Sequence, residues 1–337
     1  MKSDSESHRD DGGAADGLDP RGPIARAHLR DPADTSHSMT RLPAPEALTG
    51  LVRWFWIPVW SVAPGREVVQ AVLRYPVPLI VVTPSYARFY GVEPGLSRTT
   101  LAGDGWGFGL TLQPAAGRLL TGEPMSHWRD RTADLGDLLG DAGHDFTRQV
   151  RRILEPDPRS PEAHVTAAGA ACDLLDPFLP VDDEGALANA VVEWIEATPQ
   201  ARRVEDVTSR FGLSERGLQR LCRDRVGLGA KWIIQRRRLH EAVELLRTRA
   251  SDPRDAEALA TIAVDLGYAD QAHFTRDFRS VTGMTPGRFV DRERVTVESG
   301  DRRHVTHVPV ANAAQRADVL QRAAYLQQIV AYSRQQH

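Results

Sequence analysis

Arg216, Gln219, Arg220 and Arg223 recur at three- and four-residue spacing in the segment Ser214–Val226, while Leu218, Leu221 and Cys222 fall between them. On a helix that spacing gathers the polar group on one face and the apolar group on another. Arginine and glutamine are the side chains that make paired hydrogen bonds to guanine and adenine edges in the major groove. The chemistry on offer is therefore base reading. Ser214 stands where its hydroxyl can cap this helix, and Val204, Val207, Phe211 and Leu213 can pin a short preceding helix against it, with Gly212 in the turn.

A similar pattern returns downstream. Leu259, Ile262 and Ala263 are followed by Leu266-Gly267-Tyr268, by Asp270, and by Phe274 and Phe278, so that Gly267 corresponds to Gly212 and Phe274 to Leu218 with one extra residue in the turn. Gln271 and Arg276 stand on either side of Phe274 in this unit. Between the two units the segment Ala230–Arg249 has Trp232, Ile233, Leu239, Val243 and Leu246 as apolar positions. As a helix it would be about 30 Å long, close to the ~34 Å of one DNA turn, so it could hold the units near successive major grooves. Arg236-Arg237-Arg238 on this helix are expected on its wet face, paired with Glu241 or Glu244 or touching phosphate.

The elements that position these faces sit in a chain of 337 residues, long enough for two ordinary domains plus tails. With 41% hydrophobic and 26% charged residues the composition is that of a globular protein. The formal charge of −3 is unevenly spread: residues 1–184 hold 18 basic and 26 acidic side chains, residues 185–290 hold 17 and 14, and the remainder 7 and 5. The surplus of base lies in the rear half, on the side of the reading faces, but is too small to decide anything alone. No stretch approaches the roughly 20 apolar residues of a membrane span, and no apolar signal core opens the chain, so a cytoplasmic protein with no membrane partner is expected.

Residues 1–44 have the composition of a disordered tail, and Met39 stands as a second candidate start just before the first segment expected to be ordered. Residues 45–182 are expected to form a β-rich sensing or oligomerisation domain. Its strands are Leu51–Trp60, Val68–Tyr75, Leu79–Thr83, Tyr86–Tyr90 and Trp106–Leu112, followed by helices at Leu135–Leu139, Phe146–Leu154 and from Pro161 towards Leu179. Trp54, Trp56, Trp60 and Trp106 are expected mainly to fill a core, with a ligand cavity as the weaker alternative. The glycines at 103, 105, 107 and 109 lack phosphate-loop spacing and are read as relieving crowding on a strand. Residues 183–290 carry the two units, with the preceding helix over Ala186–Ala197. Residues 291–337 form a tail with an amphipathic helix at Ala313–Tyr332.

Other chemistry finds little support. Cys172 and Cys222 lie far apart without ligand spacing, and His144 and His164 are read as surface or capping residues, so no metal and no cofactor are expected. No nucleophile, base and orienting acid occur in a recognisable arrangement, so no enzyme is expected.

The segment Ile262-Ala-Val-Asp-Leu-Gly-Tyr-Ala-Asp-Gln-Ala-His-Phe-Thr-Arg-Asp-Phe-Arg-Ser-Val-Thr-Gly-Met-Thr-Pro-Gly-Arg-Phe289 resembles the C-terminal hallmark of AraC/XylS transcription regulators. The resemblance covers residues 185–290. It implies a seven-helix domain whose two recognition helices enter adjacent major grooves. It makes Arg216, Gln219 and Arg220 the base readers of the first, and Ala272, His273 and Arg276 those of the second. Ala272 departs from the polar residues often found there and offers only an apolar contact. The front half is similar to the small cupin-like domain of some such regulators, which implies effector binding or assembly.

The expected fold is therefore α+β: an N-terminal β-rich, cupin-like domain with trailing helices, then an all-α domain of two helix-turn-helix units joined by a long helix. The expected function is a sequence-specific, DNA-binding transcription regulator acting on double-stranded operator DNA. RNA polymerase, a small-molecule effector and a second copy of the chain are its further candidate partners. The alternative is a small-molecule-binding or enzymatic protein that carries the DNA-binding module as an accessory. A front half that serves oligomerisation alone would be recognised by a 45–182 fragment that dimerises without binding any metabolite.

Overall fold

The structure, a computed structural model, describes residues 36–249 and 256–292. It is α+β, with every described strand ahead of the long run of helices. The strands are β1 (His37–Pro43), β2 (Val52–Ser61), β3 (Val68–Val72), β4 (Leu79–Val82), β5 (Ala87–Tyr90), β6 (Ser97–Leu101), β7 (Asp104–Trp106), β8 (Phe108–Leu112) and β9 (Thr132–Asp134). The main antiparallel sheet runs β1-β2-β8-β4-β5-β9, with β7 also on β2, and β3 pairs β6 in a separate two-stranded sheet.

Alternation along β2 separates the two faces of the main sheet. Phe55, Ile57 and Val59 are buried in the core with Ile80, Phe89, Phe108 and Leu110. Trp54, Trp56 and Trp60 point the other way and are half-buried. The expectation that all four tryptophans fill a core is therefore corrected. Only Trp106 joins it. The core face is covered by helices, whereas the face with the other three meets the small β3–β6 sheet across an open space. The glycines opposite them are explained by the same packing: a Cβ at Gly105 would come within 2.3 Å of the Trp60 ring, and one at Gly109 within 2.0 Å of the Trp56 ring.

Residues 37–43, expected in the tail, instead form β1, paired with β2 from His37 opposite Trp60 to Pro43 opposite Trp54. An edge strand needs only one partner and little apolar alternation, so its polar composition misled the reading. β6 and β9 were missed for a related reason, being respectively polar with exposed centre (Arg98, Thr99, Thr100) and three residues long.

The helices are α1 (Pro114–Thr121), α2 (Leu135–Leu154), α3 (Pro161–Leu175), α4 (Asp183–Ala197), α5 (Val204–Phe211), α6 (Glu215–Leu221), α7 (Ala230–Arg249), α8 (Ala256–Asp265) and α9 (Gln271–Thr282), and residues 286–292 are helical too. The two helices expected over 135–154 are both present within α2, separated by a kink at Gly140, whose φ of +60° and ψ of −138° are not helical. Ser160 and Asp182 cap α3 and α4 by accepting from Ala163 N and Gly185 N. Phe146, Val150 and Leu154 of α2 and Ala167, Ala171 and Leu174 of α3 close the core against the main sheet. His164, read as a surface or capping residue, lies 2% exposed on this alanine-rich face, its Nε2 2.8 Å from Pro158 O.

Two further cores follow. Val191, Val192 and Ile195 of α4 pack with Val207, Leu218, Leu221, Cys222, Ile233 and Ile234. Leu239, Val243 and Leu246 of α7 pack with Ile262, Ala263, Tyr268, Phe274, Phe278 and Phe289, and this cluster takes in Leu73 from just beyond β3. Burial pushes the Cys222 thiol up to about 12, which keeps it a packing group. The helix expected over Ala313–Tyr332, and the tail residues before 36 and after 292, lie outside the described residues. Among the described residues no helix is long and apolar enough to cross a membrane.

Candidate nucleic-acid interface

Helix α5 ends at Gly212, whose φ of +64° lets its N–H turn back to Thr208 O. Ser214 then caps α6, its Oγ accepting from Gly217 N at 3.1 Å. Leu218, 1% exposed, and Leu221 anchor one side of the helix. The other side is free. Ser214, Arg216, Gln219, Arg220 and Arg223 are all exposed. Arg216, Gln219 and Arg223 make no side-chain hydrogen bond or ion pair among the described residues. Arg220 Nη2 only approaches Glu184 at 3.9 Å, with both side chains well exposed, a contact that solvent largely screens. Arg225, one position off this face, is drawn away and held in a paired contact with Asp182. After Leu221 the helix continues for five residues as a π-helical turn, Cys222–Val226, so the expected Ser214–Val226 unit is continuous but changes pitch.

The second unit repeats the construction. Gly267, with φ +76°, makes the turn, and Asp270 caps α9 by accepting from His273 N at 2.6 Å. Phe274 and Phe278 are fully buried and turn Ala272, His273 and Arg276 to solvent, with Gln271 half-buried. The His273 ring stands edge-on to Tyr268 at 5.2 Å. The Tyr268 hydroxyl donates to Asp277 Oδ2 at 2.7 Å, and Gln235 of α7 donates to the other oxygen of Asp277. Burial, and then this hydrogen bond, push the Tyr268 phenol up, so it remains a donor. Arg279, which the sequence reading passed over, is exposed one turn beyond Arg276 on the same side as Ala272. The three- and four-residue spacing that picked out Arg216, Arg220 and Arg223 marks it equally.

The wet-face expectation for the arginine run on α7 is corrected for its first two members, while Arg238 is half-buried. Arg236 is 2% and Arg237 8% exposed. Arg236 donates to Pro94 O and lies over the Trp232 ring at 4.5 Å, and burial brings its pKa down to about 9. Arg237 pairs with Glu241 at 2.7 Å and Arg238 donates to Arg202 O at 2.7 Å. The Arg237–Glu241 pair is the one expected from their spacing, whereas the carbonyls that Arg236 and Arg238 meet lie far off in sequence and have no local mark. The rear half is fastened to the front elsewhere too: Asn189 Nδ2 donates to Gly50 O at 2.9 Å, Arg53 meets Glu196 at 2.7 Å, and Arg129 donates to Gly227 O at 2.7 Å.

The open space between the two sheets is a cavity of about 500 Å³, walled by Trp54, Trp56 and Trp60 on β2 and by Gln70, Val72 and Arg74 on or beside β3. The intervening residues Ala71 and Leu73 face the opposite way, into the core of the second unit. One strand thus serves both. His240 of α7 reinforces the joint, its Nε2 2.8 Å from Leu73 O and its ring 4.4 Å from that of Tyr75, another cavity residue. Among the described residues no group of histidine, cysteine and carboxylate side chains could hold a metal ion.

A helix-turn-helix domain family matches residues 207–292, and a domain of unknown function (DUF6597) matches residues 40–134. The regulatory protein SoxS of Salmonella typhimurium is 35% identical over 109 residues, which cover 32% of this chain and 94% of SoxS. The probable transcription factor PqrA of Proteus vulgaris is 28% identical over 106 residues, covering 31% of this chain and 82% of PqrA. The transcriptional activator RhaS of Escherichia fergusonii is 31% identical over 106 residues, but these span only 36% of its length. Among solved structures, ToxT of Vibrio cholerae aligns over 77% of this chain and 98% of its own at 13% identity and a TM-score of 0.33. With SoxS matched over nearly its whole length, and with two capped helices each presenting a polar face, the chain belongs to the AraC/XylS family of DNA-binding transcription regulators.

Proposed function

We propose that α6 and α9 are recognition helices that enter successive major grooves on one face of operator DNA, with α7 setting their separation. The observation that carries this is the face of Arg216, Gln219, Arg220 and Arg223, fully presented to solvent and almost without partners in the fold. Arginine and glutamine left unengaged at helical spacing are suited to base edges. In the second unit His273 and Arg276 do the reading, Gln271 and Ala272 contribute at the margin, and Arg279 contacts base or phosphate. Specificity is weighted towards α6.

Residues 45–182 act as the sensing or assembly domain and 183–290 as the DNA-binding domain. The cavity beneath β3 supports an effector role, because its wall is also part of the second unit's packing. A regulator of this kind works in the cytoplasm without catalysis of its own, and RNA polymerase and a second copy of the chain are its natural protein partners. The test is selection of binding sites from random duplexes by the full chain. Enrichment of a sequence with two elements about one helical turn apart is expected. Failure to enrich any sequence would refute the reading.

A further inference from the structure

The loop 198–203 between α4 and α5 is pinned against the middle of α7. Arg237 Nη2 donates to Pro199 O at 3.3 Å and to Ala201 O at 3.4 Å, and Arg238 Nη2 donates to Arg202 O at 2.7 Å. Asp206 Oδ2 accepts the N–H groups of Arg202 and Arg203 at 2.9 and 2.8 Å. The backbone is thus fixed while both arginine side chains are exposed. The Arg202 side chain runs along the turn of the second unit, where a Cβ on Gly267 would stand 3.6, 3.8 and 3.9 Å from its Cδ, Nε and Cζ. Its guanidinium makes no side-chain hydrogen bond or ion pair among the described residues. A cation without an anion of its own is therefore held where the two helix-turn-helix units meet.

This junction adjoins the second reading face. Arg238 Cζ stands 5.8 Å from the centre of the Tyr268 ring, and the His273 ring meets Tyr268 edge-on at 5.2 Å. A contiguous row thus leads from Arg202 through Arg238 and Tyr268 to His273. Arg202 also leads into α5, and the first helix of such a unit crosses the DNA backbone. Two helices in successive major grooves leave one minor groove between them, about five base pairs from the centre of each. We propose that Arg202 enters this minor groove and reads its width, so that the operator has an A/T-rich centre that neither recognition helix touches. Runs of A·T pairs narrow the minor groove and deepen its negative potential. Arginine suits that groove better than lysine because its guanidinium is more weakly hydrated. The proposal rests on the two-helix reading and adds a third contribution to specificity.

The experiment is competition binding of the full chain to its selected site, with both outer elements kept and the centre changed to A·T, G·C or inosine·C pairs. Inosine lacks the guanine amino group in the minor groove but keeps the guanine acceptors in the major groove, so it tells the two grooves apart. The A·T and inosine·C centres are expected to bind about five-fold or more tighter than the G·C centre, the effect of one favourable base-pair position. Arg202→Ala should bring the three centres together and Arg202→Lys should leave little of the preference, with thermal unfolding reporting that each variant is folded. Equal affinity for the three centres, or inosine·C behaving as G·C, would overturn the proposal. So would a preference that survives in Arg202→Ala, where a uniform loss across centres marks a phosphate contact instead. Scrambling each outer element in parallel reports on the two-helix reading separately. If scrambling weakens binding while the centre is immaterial, this proposal alone fails; if scrambling costs nothing, both fail.

Discussion

Arg220 and Arg216 illustrate how a side chain becomes available for reading. Each sits one or two residues from a buried leucine, so the helix cannot rotate them inward, and neither has a strong partner in the fold. Arg220→Ala should therefore lower affinity by about 1–3 kcal/mol and relax preference at one base position, as loss of a bidentate contact does. A quantitative footprinting titration reads both effects. Ser214 acts on the same helix from its end. Ser214→Ala removes the cap to Gly217 N and should cost about 1 kcal/mol of stability, seen in a denaturant titration. The spacing rule found these residues because it is local.

At the scale of elements, packing between strands decides what the glycines do. Gly109→Ala would set a Cβ within 2.0 Å of the Trp56 ring, and is expected to destabilise by about 1–3 kcal/mol through overpacking. Gly169→Ala, inside α3 with nothing within 4 Å of the new atom, should instead stabilise by about 0.5–1 kcal/mol. Opposite shifts in thermal midpoint would check the pair. The strands β2, β4, β5 and β8 were legible because each alternates or is wholly apolar. β1 and β6 were not, since both are polar, β1 as an edge strand and β6 with an exposed centre. On α7 local spacing marked the Arg237–Glu241 pair but not the burial of Arg236 and Arg237, because acceptors such as Pro94 O and Arg202 O are placed beside the run only by the tertiary fold.

The molecule as a whole is less divisible than its sequence suggests. Leu73, fully buried, belongs to the core of the second helix-turn-helix unit, and Arg236 and His240 of α7 bond backbone carbonyls in the front half. Leu73→Ala should cost about 2–5 kcal/mol by leaving a cavity, and should weaken contacts from α9 more than those from α6. The capped helices and both turns could be read from residues 204–289 alone. Their attachment to the sheets could not, because it depends on which face of β3 points where. The most direct test of the account is methylation-interference mapping of the full chain on its selected site, at several salt concentrations. Two interfering major-groove patches about 10 base pairs apart are predicted, with Arg216→Ala and Arg220→Ala removing one and Arg276→Ala the other, and the logarithm of the affinity falling linearly with log salt. A single patch, or one that disappears equally with every substitution, would contradict it.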